Sequence, residues 1–176
     1  MFAVLQFTKY EKLLLLLFFF FKEINKRSLI KLLKKINGVI LPGGFGNYQP
    51  VARVIVKYAR AMSKRNKPFP VLGICLGAQI LMKIETDEPI LKATDSQNIP
   101  LPLDFFEDEW KKSQLFRKAP NSLIQVLKTK SVTYNGHLNG VLYSDFIRRD
   151  SLNKRYRLIS TNEDRNGKTF LSTFEG

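Results

Sequence analysis

The one cysteine in this 176-residue chain, Cys75, lies in the stretch PVLGICLGAQIL, with Gly73 and Gly77 two positions away on either side. A lone cysteine is ordinarily a small hydrophobe filling a gap in a core. The spacing here argues for chemistry instead. A strand that turns abruptly into a helix forces the residue at the bend into strained φ/ψ space, and flanking glycines relieve the crowding. Such a bend lifts the side chain clear of the sheet at the carboxyl end of the strand, where open α/β folds keep their sites. The helix start beneath it favours the thiolate, the form that attacks a carbonyl carbon. The amide of Leu76 would then face the oxyanion formed on that carbonyl. A second donor is offered by LPGGFG, where Gly43 and Gly44 follow another buried strand and are expected beside Cys75 at the same sheet edge.

The elements that must position these residues are legible in the hydrophobic pattern. INGVILPGG reads as a short buried strand, 38–41, ending in a Pro-Gly-Gly turn. Val51, Val54, Ile55, Tyr58 and Met62 then recur at helical spacing, with Arg53, Lys57, Arg60 and Lys64 on the opposite face. FPVLGI is a second buried strand, with Pro70 at its first position, and AQILMKI returns to helix. Strand, helix, strand, helix in so few residues predicts an α/β fold with a mainly parallel sheet and right-handed crossovers. Further on, APNSLIQVLKTK suits a helix with Pro120 near its start. YRLISTN and KTFLSTF read as two strands joined through EDRNG, where Asn166-Gly167 supplies a tight turn. Neither an internal repeat nor a Gly/Ser linker interrupts the chain, which reads as one domain.

The hydrophobic content of 44% excludes a disordered chain, and one cysteine excludes an internal disulfide. The formal charge is +14, yet the lysines and arginines run from Lys9 to Lys168 with only short pairs such as Lys34-Lys35. That distribution reads as a generally basic surface able to steer an acidic small substrate, with no nucleic-acid partner. The apolar run Leu13–Phe21 is about half the length that a membrane-spanning helix needs. Lysines precede it as in a secretory signal, but KEINKRS stands where a small-residue cleavage site would be.

INGVILPGG followed by PVLGICLGAQIL resembles the class I glutamine amidotransferase-like superfamily. ATDSQNIPLPLDF, SQLFRKAP, TYNGHLNGV and ISTNEDRNGKTFLSTFEG resemble segments of the γ-glutamyl hydrolases in their usual order. Those enzymes are cysteine peptidases that trim poly-γ-glutamate from folates. The resemblance covers roughly residues 29–176 and leaves 1–28 as a separate N-terminal segment. It implies a flavodoxin-like three-layer domain in which Cys75 is the nucleophile, attacking a γ-glutamyl amide to give a thioester that water hydrolyses. Gly43, Gly44 and Leu76 would form the oxyanion hole. His137, the only histidine, matches a residue associated with the substrate site, and Gln79 is assigned to substrate binding beside it. Neither metal nor cofactor is implied, and no membrane partner is expected; a homodimer is compatible with the family. A vacuolar, lysosomal or extracellular location is implied.

Two departures stand out. The family's general-base histidine belongs to a Trp-His-Pro-Glu-like segment beyond STFEG, absent from this sequence, and too few residues precede Ile36 for the family's first strand and helix. The resemblance thus implies a domain incomplete at both ends and impaired in turnover. Gln79 keeps open a glutaminase supplying ammonia to a synthase partner, and the missing base keeps open a non-catalytic remnant.

Overall fold

A computed structural model describes residues 25–176, together with the backbone of residues 2–3 and 14–15. The apolar run Leu13–Phe21 otherwise lies outside the described residues. In chain order the elements are β1 (Phe2–Ala3), β2 (Leu14–Leu15), α1 (Lys26–Leu33), β3 (Val39–Leu41), α2 (Gln49–Ser63), β4 (Val71–Ile74) and α3 (Leu76–Thr86). There follow β5 (Leu91–Ala93), β6 (Gln97–Leu101), β7 (Asp104–Phe105), α4 (Glu107–Trp110), α5 (Asn121–Thr129), β8 (Thr133–Gly136) and β9 (Asn139–Val141). The chain closes with α6 (Tyr143–Ile147), α7 (Asp150–Asn153), β10 (Arg157–Glu163) and β11 (Thr169–Glu175).

Seven strands form the main sheet in the order β2-β3-β4-β1-β11-β10-β7, and β5/β9 and β6/β8 form two small antiparallel ladders. The α/β architecture is the one expected, but its parallel part is small. β2, β3 and β4 run parallel, as do β1 and β11, whereas β4/β1, β11/β10 and β10/β7 are antiparallel. The reason is local: the short 164–168 connection, with Gly167 at φ +76°, can only fold β11 back beside β10.

Residues ahead of Ile36 do form a helix, α1, and Leu14–Leu15 pairs in parallel with β3. Asn25 caps α1 by accepting a hydrogen bond from the Ser28 amide at 2.9 Å, and Leu29 and Leu33, one turn apart, are fully buried. Burial of each such side chain contributes about 1.5–3 kcal/mol. The helix escaped the sequence reading because two buried leucines among lysines make a narrow stripe.

α2 opens with Pro50 in its first turn and buries Ala52, Ile55, Val56 and Ala59. The stripe read from sequence is present but displaced: Val51, Val54, Tyr58 and Met62 flank it, half-buried. β3, β4 and the inner faces of α1, α2 and α3 enclose the main core with Phe174 and Leu171 of β11. A second cluster, Leu103, Phe116, Ile124 and Ile159, lies under α5.

Candidate active site

β4 ends at Ile74 and α3 begins at Leu76, so a single residue, Cys75, makes the whole turn. Its backbone sits at φ 50°, ψ −109°, a region that costs a non-glycine residue about 1–3 kcal/mol. The thiol is free and half-buried. The two glycines have distinct jobs. A Cβ on Gly77 would lie 2.1 Å from the Leu41 carbonyl oxygen, and one on Gly73 would lie 2.7 Å from the Ala78 nitrogen. Gly77 thus lets α3 press onto the end of β3, and Gly73 lets the helix fold back over β4. The strained bend follows from that close packing.

The Pro-Gly-Gly loop lies where the sequence put it. A Cβ on Gly43 would be 3.0 Å from Cys75 Cβ and 3.8 Å from Sγ, so this glycine admits the thiol. Gly44 is at φ +117° with open space around it. Leu76 is the first residue of α3, and its amide is among the helix-start N–H groups that have no partner within the helix.

Two residues of this loop were missed by sequence reasoning. Phe45, between Gly44 and Gly46, is wholly exposed at the rim. The Tyr48 hydroxyl donates to the Pro42 carbonyl at 2.5 Å. Burial, and then the negative charge of a Cys75 thiolate, push the Tyr48 phenol upward, so it stays protonated and able to donate. The Pro42 carbonyl and the Gly43 N–H belong to one peptide and point opposite ways, so Tyr48 fixes the direction of that N–H. The spacing from Pro42 to Tyr48 spans a loop without period, and no sequence pattern announces such a bond.

His137 belongs to the same end of the sheet. Register aligns Ile74 with Phe2 and Phe2 with Thr173, and Gly73 with Ala3 and Ala3 with Phe174. Moving from Gly73 toward Cys75 therefore corresponds to moving from Phe174 toward Phe170. The His137 ring stands edge-on to Phe170, centroids 5.5 Å apart. Its Nδ1 is 3.2 Å from Ser96 Oγ, which also donates to the His137 carbonyl at 2.9 Å and meets Thr94 Oγ1 at 2.8 Å. Gln79 is buried on the first turns of α3, and its Nε2 donates to the Asn139 carbonyl at 2.8 Å. It ties the elbow helix to the strand that follows His137. A cavity of about 650 Å³ lies elsewhere, at the opposite sheet edge between Val71, Tyr156 and Glu175.

Burial holds the His137 imidazole below its ordinary pKa of 6.5. A histidine whose folded pKa is depressed binds its proton more readily when unfolded, so stability is full above the unfolded pKa and falls as acid is added. The urea midpoint of the wild-type chain should drop from about pH 6.5 downward more than that of His137→Gln. Parallel curves for the two proteins would show that His137 titrates alike in both states.

The glutamine amidotransferase class-I family pattern matches residues 19–141, which include the strand–elbow–helix unit and the Pro-Gly-Gly loop. This chain belongs to the class-I glutamine amidotransferase family. Within reach of that family, the chain is 32% identical to the gamma-glutamyl hydrolase of Rattus norvegicus over 160 residues, 88% of this chain and 50% of the relative. It is 35% identical to the gamma-glutamyl hydrolase of Mus musculus over 152 residues (83% and 47%), and 32% identical to that of Homo sapiens over 151 residues (82% and 46%). The chain spans about half the length of the curated relatives it matches. The matched residues include the Cys75 elbow and the loop that sets Gly43 against its side chain.

Proposed function

We propose that this chain carries the nucleophilic half of a γ-glutamyl hydrolase site. The observation that carries the reading is Cys75 at a strained elbow with Gly43 against its side chain, in a chain similar to proteins named gamma-glutamyl hydrolase. The Cys75 sulfur attacks the carbonyl carbon of a γ-glutamyl amide. The C–S bond forms, the C–N bond breaks, and the amine departs with a proton. Water then cleaves the thioester, returning the thiol and releasing the γ-glutamyl carboxylate. The amides of Gly43, Gly44 and Leu76 stabilise the oxyanion in both steps. Poly-γ-glutamates, such as those of folates, are the proposed substrates.

Proton transfer is the weak point of the sequence as it stands. His137 is its only histidine, and Ser96 and Phe170 engage its ring. The chain is therefore proposed to acylate faster than it turns over, because those contacts hold His137 rather than leave it free to relay protons. The test is to incubate the chain with a γ-glutamyl anilide and, separately, with glutamine. Mass spectrometry of Cys75 and the released amine are followed in each. A γ-glutamyl adduct with aniline release supports the reading. Faster release of ammonia from glutamine than of aniline would make the chain a glutaminase, and no adduct from either would make it a non-catalytic relative.

Tyr48 gives a finer test of the oxyanion hole. Tyr48→Phe removes one hydrogen bond that orients the Gly43 amide, and acylation should slow about tenfold. Alkylation of Cys75 by iodoacetamide, which forms no oxyanion, should be unchanged. Equal slowing of both reactions would mean that Tyr48 acts on the thiol itself.

A further inference from the structure

The charge of this protein is not spread as its linear sequence suggests. Residues 26–67 hold eleven lysines and arginines and no aspartate or glutamate. Two of these cations are neutralised by carboxylates near the end of α3, Arg53 by Asp87 and Arg60 by Glu85. Lys34 and Lys35 end α1 just before β3, and Lys64, Arg65 and Lys67 follow α2 just before β4. Since β3 and β4 are parallel, both connections emerge at one edge of the sheet. All five side chains are exposed, and none forms an ion pair among the described residues. The edge is the one opposite Cys75, which follows the other end of β4.

Helix ends attract cations, but one or two per terminus satisfy the dipole. Five uncompensated cations on two adjacent loops exceed that need. A substrate steered toward Cys75 does not explain them either, because they lie at the wrong end of the strands. We propose that this edge is a docking surface for an anionic lipid membrane. Four of the five are lysines, point charges on flexible stems that suit a diffuse array of headgroups better than bidentate recognition of one phosphate. The large exposed apolar residues of the described chain, such as Phe45, Tyr134 and Leu138, all fall outside these two connections, so bases would find no stacking platform there. Among the described residues no helix is long and apolar enough to cross a membrane, so the contact is peripheral. Docked this way, the protein holds Cys75 away from the lipid and open to solvent. The inference departs from the expectation of no membrane contact, and it stands independently of the hydrolase reading.

The test is co-sedimentation of the whole chain with vesicles of phosphatidylcholine alone and of phosphatidylcholine with about one third phosphatidylglycerol. Binding should be at least about tenfold stronger to the anionic vesicles and should fade as salt rises. Lys34→Gln with Lys64→Gln should weaken it about 30-fold, at about a factor of five per charge. Lys35→Gln with Lys67→Gln is a second pair on the same edge, used if the first pair misfolds by circular dichroism. Lys92→Gln with Lys168→Gln, elsewhere on the surface, should have little effect. Equal binding to neutral and anionic vesicles, equal loss in the Lys92/Lys168 variant, or tighter binding to an oligonucleotide at matched salt would each overturn the proposal.

Discussion

Cys75→Ala is expected to abolish acyl capture from a γ-glutamyl anilide completely, with no adduct on any other residue. The sequence has one thiol, so no neighbouring cysteine can substitute for it. Any turnover of the anilide should fall by at least about 10⁴-fold, as removal of a covalent nucleophile does elsewhere. Cys75→Ser keeps a side chain of similar size at the elbow and separates loss of the nucleophile from loss of the fold. Unfolding curves of the serine variant should match the wild type to within about 1 kcal/mol. Residual aniline release by Cys75→Ala at the wild-type rate would end the thiol mechanism.

Gly77→Ala is expected to be the most damaging single methyl group in the protein. Its Cβ would lie 2.1 Å from the Leu41 carbonyl oxygen and 2.7 Å from the Leu41 carbonyl carbon. Both are backbone atoms of a strand paired on both sides, so neither can swing away as a side chain would. α3 must lift off β3, at a cost of about 3 kcal/mol and a fall in Tm of roughly 10 °C. The lift also pulls Leu76 away from the Gly43 loop, so acylation should fall much further than stability alone predicts. Gly46→Ala, where a Cβ meets open space and only the φ of +118° is adverse, supplies the contrast. A Gly77→Ala protein with wild-type Tm and acylation rate would show that the close approach of α3 to β3 is not what sets the elbow.

Where local chemistry fixes local structure, the sequence was readable. The elbow, its Pro-Gly-Gly neighbour, α2, and the β10–β11 hairpin all announce themselves through glycines, proline or period. What was hidden depends on atoms distant in the chain. The hairpin that turns β11 back beside β10 was legible, but the place of β1 between β4 and β11 joins opposite ends of the chain, which no window of residues encodes. The β5/β9 and β6/β8 ladders pair strands some 30–50 positions apart, across loops of weak pattern. At the site, Cys75, Gly43 and Leu76 were found from spacing, and the placement of His137 at the same edge came from the register of the sheet. Gln79 was singled out for substrate binding from the family resemblance of CLGAQ. Its amide is committed to Asn139, a partner 60 residues away that the sequence could not disclose. Tyr48 and Phe45 went unremarked because an aromatic residue in a glycine-rich loop carries no periodic signal.

The backbone of Cys75 has one more implication. At φ 50° and ψ −109°, glycine would sit in comfort where cysteine does not. The fold's own preference at position 75 is therefore for a residue that has no side chain and can do no chemistry. Stability and reactivity pull opposite ways at this one site, and a lineage maintained for its shape alone would drift toward glycine there. Under the proposed hydrolase reading, the nucleophile is held at position 75 at a cost in stability.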